Sequence, residues 1–390
     1  MVNLVKIVIT GDNHLNLYNQ KLGSKLSERR SRIGQAWYKT IEYAIDNKAD
    51  IYINTGDLFD QLSPRNPPRA NVIDGYMKLK DAGISSYIIA GNHEVPSNER
   101  DGVSPHALLR EAKLSHVFEN RLDFEQIVED VNGLQISVSG MSYNRNLASK
   151  EDPLEGKTIP AGFDLNLAIL HYSIEDIAPP IWEEPLIQKE SIERNPQIQL
   201  YIMGHIHEHI KTKINDSHVI YPGATEHFDF REWDKDTGFV VVEYEDNELI
   251  IKYVPIESQP MRQMKLHTSF IKHDEITNAI KKEVEGLSNI DGLLQVILEG
   301  ELPFQKYTEI DFTDINRYGS DQNFYFELVD RIRPTGEGLD FKASEGLNPR
   351  KRLEEVGKAA LDKSISEEDQ KIWQQALNYA IEYYLKGREP

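Results

Sequence analysis

Short apolar runs, each ending on a polar cluster, recur along the first half of the chain. Val5 to Ile9 and Ile51 to Asn54 read as buried strands, and the stretch between them, from Arg32 to Asn47, carries Ile33, Trp37, Ile41 and Ile45 at helical spacing. This predicts a strand–helix–strand start. A second helical stretch, Ala70 to Ala82, leads into Tyr87-Ile88-Ile89-Ala90, and further apolar runs lie at Leu134 to Val138, Leu165 to Leu170 and Leu200 to Met203. From Val219 the texture turns to β, with Phe239 to Tyr244, an Asp246-Asn247 turn and Leu249 to Val254 predicting a hairpin that closes a first domain over 1–255. The alternation of strand and helix predicts an α/β fold.

After Pro255 the units become shorter: a strand near Met264 to His267, a helix from Asp274 to Glu285, a strand at Leu293 to Leu298 and a mixed region to Arg333. They predict a small α+β domain over 256–335. Pro334, Gly336, Gly338, Gly346 and Pro349 then mark a linker, placed at 336–350. Beyond it, Arg350 to Asp362 and Ser366 to Leu385 read as helices of a tail over 351–390. Ile372, Trp373, Ala376, Leu377, Ala380, Ile381 and Tyr384 share one face of the second helix.

With 390 residues, 39% of them apolar and 28% charged, the chain has the composition of an ordinary soluble protein of two or three domains. It contains no Cys, which removes disulfides, thiolate metal sites and a Cys nucleophile together and points to a reducing, intracellular setting. The apolar run near Met1 is too short for a signal-peptide core, and no run approaches the roughly 18 apolar residues of a membrane span, so a cytoplasmic protein with no membrane partner is expected. A net charge of −20 argues against a generic nucleic-acid coating protein, because contacts to phosphates need local Lys and Arg. A nuclease with local basic patches stays open. Lys21, Lys25, Arg29, Arg30, Arg32, Arg65 and Arg69 form one such run, for which a solvated helix face is the plainer reading.

The polar clusters that end the strands carry the chemistry. The first strand runs into Gly11-Asp12-Asn13-His14, the second into Gly56-Asp57-Leu58-Phe59-Asp60 and the third into Gly91-Asn92-His93-Glu94; later runs end in His171 and in Gly204-His205-Ile206-His207. Open α/β sheets place ligands beyond the carboxyl ends of their strands. One Asp or His in such a place is usually a turn residue or a satisfied core residue. Five strand ends in chain order, each bearing Asp, His or Asn, point instead to a metal site. Imidazole, carboxylate and one amide carbonyl suit manganese, iron or zinc. Seven candidates, Asp12, His14, Asp57, Asn92, His171, His205 and His207, exceed what one ion takes while leaving room for substrate, so two ions sharing a carboxylate fit the count.

In their order and spacing these motifs resemble the calcineurin-like metallophosphoesterase superfamily. Gly-Asp-Leu-Phe-Asp at 56–60, Gly-Asn-His-Glu at 91–94 and Tyr221-Pro222-Gly223-Ala224-Thr225-Glu226 followed by Gly238-Phe239 resemble, within it, the SbcD nuclease subunits and their Mre counterparts over about residues 4–335. The resemblance implies a two-sheet α/β/β/α sandwich with a small α+β cap and a C-terminal helical tail. It implies two Mn2+ ions, with Mg2+, Fe2+ or Zn2+ as alternatives. Asp12, His14, Asp57 and His207 would hold one ion and Asp57, Asn92, His171 and His205 the other, with Asp57 as the bridge. His93 would contact the scissile phosphate. Glu94 stands where Asp is commoner, and Asn13 also departs from the usual residue, but neither is a ligand.

The activity implied is manganese-dependent hydrolysis of DNA, 3′–5′ exonucleolytic and endonucleolytic, on double-stranded ends and single strands, in double-strand-break processing. The implied partners are a coiled-coil ATPase of the SbcC type and a second copy in a homodimer; the apolar face of the tail either docks on that ATPase or packs on its own domain. Trp37, Tyr38 and the segment 62–110 are candidates for the dimer contact. The chain has no Gly-x-x-x-x-Gly-Lys-Ser/Thr loop, so ATP chemistry would belong to the partner. Asp60 is expected to orient a ligand His or cap the next helix, while His209 is not counted as a ligand and His227 is left open. The alternatives are a small-molecule or cyclic-nucleotide phosphodiesterase, a phosphoprotein phosphatase, or a non-catalytic adaptor, which would be marked by a lost ligand.

Overall fold

The computed structural model describes residues 4–97, 102–178, 183–271, 275–335, 357 and 370–377. The chain divides into two compact units, Met1–Glu301 with Gln305–Arg333, and Leu302–Phe304 with Pro334–Pro390.

In the first unit the strands are β1 (Val5–Thr10), β2 (Ile51–Asn54), β3 (Ser85–Ile89), β4 (His116–Phe118), β5 (Glu125–Val131), β6 (Leu134–Gly140), β7 (Leu165–His171), β8 (Ser173–Ile174), β9 (Leu186–Ile187), β10 (Leu200–Gly204), β11 (Ile210–Ile214), β12 (Ser217–Tyr221), β13 (Gly238–Glu245) and β14 (Glu248–Pro255). They build two six-stranded sheets, ordered β14-β13-β1-β2-β3-β4 and β11-β12-β10-β7-β6-β5. β1, β2, β3 and β4 run parallel, as do β6, β7, β10 and β12, so each sheet gathers its carboxyl ends at one edge.

Alternating side chains explain why two sheets stack. Ile7, Ile9, Ile51, Ile53 and Ile89 face Val138, Leu167, Ile169 and Ile202 in a core with essentially no solvent exposure. The other face of the first sheet, with Val8, Tyr52 and Ile88, is covered by Ile33, Trp37 and Ile41 of α1 (Leu26–Asp46) and by Val72, Tyr76 and Leu79 of α2 (Asn66–Asp81). Burying each such side chain contributes about 1.5–3 kcal/mol before the entropy of ordering it. α3 (Ala107–Glu111) adds Leu109 to the same layer. The outer face of the second sheet meets mostly loops and the short α4 (Lys189–Glu193), so its helical layer is thin. α1 begins at Leu26, earlier than the apolar spacing indicates, because its first turn is polar. Trp37 lies wholly inside and offers no surface to a second copy.

A three-stranded sheet follows, β15 (Met261–His267), β16 (Leu293–Pro303) and β17 (Tyr325–Thr335), in that order. α5 (Ile276–Leu287), the short α6 (Phe304–Tyr307) and α7 (Phe312–Gln322) complete this region, with Lys281 on α5 2.9 Å from Asp314 on α7. Arg32 reaches Asp291 at 3.2 Å and Lys21 reaches Glu327 at 2.6 Å, which ties the start of α1 to this sheet.

In the second unit, residues 370–377 are helical, with Leu377 against Gly357 and with Ile372 and Trp373 60% and 48% exposed. The linker at 336–350 and the remainder of the tail lie outside the described residues. Among the described residues no helix is long and apolar enough to cross a membrane.

Candidate metal centre

The loops that leave β1, β2 and β3 of the first sheet meet, at the carboxyl ends of the strands, the loop that leaves β10 and the last residue of β7 of the second. The first two zip together: Asp12 N–H donates to Gly56 O at 3.0 Å, His14 N–H to Asp57 O at 2.9 Å and Leu15 N–H to Leu58 O at 2.8 Å. Asn13 lies buried beneath them, donating to Thr10 Oγ1 at 3.0 Å and accepting from Asn54 Nδ2 at 2.8 Å. These contacts hold the backbone in conformations that L-residues disfavour. Asp12, His14, Asp57 and His205 have φ of 48°, 44°, 50° and 91°, and a cluster of such residues is common at functional sites, where the surrounding structure offsets the strain. Two glycines are required by contact: a Cβ on Gly91 would lie 2.2 Å from Asp57 Oδ1, and Gly56 combines a φ of 97° with a Cβ position 2.7 Å from Gly91 N.

All seven sequence candidates converge here. His14 Nε2 and His207 Nε2 are 3.0 Å apart, and Asp12, His14 and His207 form one group able to hold a cation. Asp57 Oδ2 lies 3.2 Å from His171 Nε2 and 4.0 Å from His14 Nε2, which places this carboxylate between the two sides of the cluster. Asn92 Oδ1 is 3.1 Å from His171 Nε2 and 3.0 Å from His205 Nδ1. Asp12, Asp57 and His171 make a further group of cation-holding spacing. Asp12 accepts the backbone N–H of His205 at 3.0 Å, which joins the two sheets' loops.

Each imidazole turns one nitrogen inward, and in three of the four the other nitrogen meets an oxygen in a hydrogen bond: His171 Nδ1 is 2.8 Å from Thr55 O, His205 Nε2 is 2.9 Å from Glu184 and His207 Nδ1 is 2.8 Å from Glu232 Oε1. His14 Nδ1 lies 3.3 Å from Asp60 Oδ1 without forming a hydrogen bond. Metal-ligating histidines are usually oriented in this way, because the outer partner fixes the ring and raises its basicity. Among the described residues, no Lys or Arg forms an ion pair with the buried Asp12 or Asp57. Two buried carboxylates with no Lys or Arg paired to them, ringed by inward imidazole nitrogens that release their protons to a metal, fit a pair of divalent cations.

The charges respond to one another. Burial pushes Asp57 up, but the neighbouring His171 outweighs it and holds the carboxyl far below the usual carboxylate range. Burial lowers His171 and His207, yet Asp57 raises the first and Glu232 the second, each to about 9 in the metal-free protein. Glu232 is correspondingly held down at about 2: burial raises it, but His207 and the 228–229 backbone outweigh that.

His93 stands at the mouth, its side chain 39% exposed, with its N–H on Asp57 Oδ1 at 3.0 Å and its Nδ1 3.0 Å from Asp60 O. Asp60 thus touches both His14 and His93 and also accepts Tyr18 N–H at 2.7 Å. His209 is turned away, with Nδ1 on Tyr221 O at 2.9 Å and its ring stacked on Tyr253. His227 faces Lys235 O and Ser258, but its neighbour Phe228 stands edge-on to His14 at 4.8 Å. Phe228, Glu184, Glu232 and Arg145, whose guanidinium contacts Asn92 O, belong to this neighbourhood, and the sequence reading missed them. Each is separated from the ligand motifs, and no local pattern marks it.

Residues 5–209 match the family model described as calcineurin-like phosphoesterase. The DNA double-strand break repair protein Mre11 of Methanocaldococcus jannaschii is 29% identical over 247 residues, covering 62% of this chain and 63% of that protein. Its namesake from Sulfolobus acidocaldarius is 24% identical over 311 residues, 77% of each chain. The chain spans about three fifths of the first of these relatives. A dimetal phosphatase from Danio rerio aligns with 11% identity and a TM-score of 0.40, covering 64% of this chain and 95% of that one. With its strand-end motifs gathered where the carboxyl ends of two sheets meet and more than half its length matched by the family model, the chain belongs to the calcineurin-like phosphoesterase family.

Proposed function

We propose that this protein is a manganese-dependent DNA nuclease that processes double-strand ends, acting as exonuclease and endonuclease with a coiled-coil ATPase of the SbcC type. The observation that carries the reading is the ring of four imidazoles, three of them hydrogen-bonded at the outer nitrogen, around two buried carboxylates to which no Lys or Arg is paired among the described residues. On this reading Asp12, His14, Asp57 and His207 hold one ion and Asp57, Asn92, His171 and His205 the other.

When bound, two such cations offset the charge of a phosphodiester and make water a competent nucleophile near neutral pH. The chain's own groups do the rest. Asp57, fixed by the His93 N–H, sets the spacing between the two halves of the centre. His93, held at the mouth by Asp60 O, donates a proton or hydrogen bond to the departing 3′-oxygen. Arg145, exposed beside Asn92, is placed to meet a phosphate oxygen.

DNA is favoured over a small diester by a groove of about 480 Å³ beside the centre, lined by Tyr18, Phe228, Phe230, Tyr325 and Arg331 and by Lys21 in its pair with Glu327. Phe230 and Tyr325 are stacked at 6.3 Å, and Phe228 links the groove to His14. Aromatic faces and the Arg331 guanidinium in one open groove suit the bases and backbone of a nucleic-acid strand. The similarity to the Mre11 proteins supports the same substrate. The exposed Ile372 and Trp373 support a docking role for the tail. The homodimer and the cytoplasmic setting belong to the same reading.

End-labelled duplex DNA and bis(p-nitrophenyl) phosphate, each incubated with manganese and with EDTA, test it. Manganese-dependent shortening of the DNA is expected. Hydrolysis of the small diester alone would favour the phosphodiesterase reading instead.

A further inference from the structure

Glu94 and His106 are both fully buried, and the chemistry described above uses neither. Glu94 Oε1 accepts the backbone N–H of Phe59 at 2.8 Å, and Oε2 accepts that of Gly91 at 3.2 Å. Phe59 lies two residues past Asp57, and Gly91 directly precedes Asn92. One carboxylate therefore clasps the two loops that carry these residues. The loops are in direct contact, since a Cβ on Gly91 would fall 2.2 Å from Asp57 Oδ1, so any drift between them moves Asp57 against Asn92.

Glu94 is itself held from the far side. His106 Nε2 lies 2.7 Å from Glu94 Oε1, close enough to donate, and the His106 ring lies beside that of Phe59, 6.4 Å between centroids. His106 also opens α3, accepting the N–H of Leu109 at 2.8 Å, and Leu109 is anchored in the core beneath α1 and α2. A carboxylate serving three donors needs the reach of Glu. Aspartate, one methylene shorter, cannot serve all three from the same backbone position.

We infer that His106 is a positioning residue of the phosphoesterase centre: acting through Glu94, it sets the spacing of the Asp57 and Asn92 loops and so the fit of the second cation. This deepens the proposed function and depends on its ligand assignment. His106→Ala should speed hydrogen exchange at the Phe59 and Gly91 amides of the metal-free protein and weaken uptake of the second manganese about tenfold, with loss of the exchange-coupled two-manganese resonance signal. His106→Gln, which restores a side-chain N–H at similar reach, should return all three to near wild-type values. Glu94→Asp should behave like His106→Ala, and it decides the matter if the alanine variant does not fold.

Three results overturn the proposal. If wild-type protein takes up two ions and His106→Ala matches it in exchange and affinity, the bracing role is overturned alone. If Gln fails to rescue while both variants melt equally early, His106 only fills space. Wild-type protein that takes up no second ion overturns the ligand assignment and this role together.

Discussion

A histidine has two ring nitrogens, and in His171, His205 and His207 one faces the cluster and the other an oxygen that fixes the ring. Removing such an oxygen should act on metal affinity before it acts on chemistry. Glu232→Gln, which weakens the hold on His207 Nδ1, should lower manganese affinity about 10–100-fold with little change in melting temperature, read by calorimetric titration. Asp57→Ala removes the carboxylate that lies 3.2 Å from His171 and 4.0 Å from His14. It should abolish hydrolysis and weaken both ions, and full activity in that variant would reject the bridging role. His93→Ala is the contrasting case. It should keep two ions by elemental analysis and lose about 10²–10⁴-fold in turnover, because its proposed contact is with phosphate. The pH dependence follows from His171 and His207, which are held up to about 9 without metal. Both carry a proton at pH 7 and must lose it to bind a cation, so binding releases protons. Apparent affinity should therefore rise with pH and level off above about 9, and titrations in buffers of different ionisation heat would count the protons.

At the scale of elements, α1 shows how packing reassigns a residue. In sequence Arg29 belongs to a basic run. In the structure it is 1% exposed, paired with Glu226 Oε2 at 2.6 Å, hydrogen-bonded to Gln259 Oε1 at 3.0 Å and in contact with His227 O. Gln259 N–H in turn reaches Glu226 Oε1 at 2.6 Å. This cluster joins α1, the loop that carries Phe228 and the segment between β14 and β15. The rest of the run is partly neutralised as well, with Lys21 on Glu327, Arg32 on Glu28 and Asp291, and Arg30 bound to Leu17 O. Surface pairs of this kind add little, whereas a buried pair with one partner removed leaves an uncompensated charge. Arg29→Ala should thus cost about 3–5 kcal/mol in urea unfolding, well beyond the effect of Lys25→Ala.

At the scale of the whole molecule, every candidate ligand lies in the first compact unit, before residue 208, while the tail belongs to the second. Truncation after residue 340 should leave manganese-dependent cleavage of short DNA intact and remove association with a coiled-coil ATPase. Ile372 and Trp373 are the groups to watch, since both stand exposed on the helical stretch 370–377. If the truncated protein melts unchanged and fails only in pull-down, the tail serves a partner. Truncated protein that still co-purifies with the ATPase at full stoichiometry would reject the docking proposal.

Much of this was legible in the sequence, for a local reason. A buried parallel strand must be apolar along its length, and the residue that leaves it must be polar, so the ends of β1, β2, β3, β7 and β10 carry their own markers within a few positions. All seven candidates named from those markers converge where the carboxyl ends of the two sheets meet. What supports them left no such trace. Glu184 and Glu232 stand 21 and 25 residues from the histidines they anchor, and His106 stands 12 residues from Glu94, with no periodicity to relate them. The left-handed backbone at Asp12, His14, Asp57 and His205 runs against local preference. The contacts that hold it there come from other loops: the β1 and β2 loops bind each other, and Asp12 of the first sheet accepts the N–H of His205 of the second. Local pattern thus determined which residues arrive at the centre, because burial acts on each strand separately. Tertiary structure alone decided how they are aimed, because the oxygens that aim them come from elsewhere in the chain.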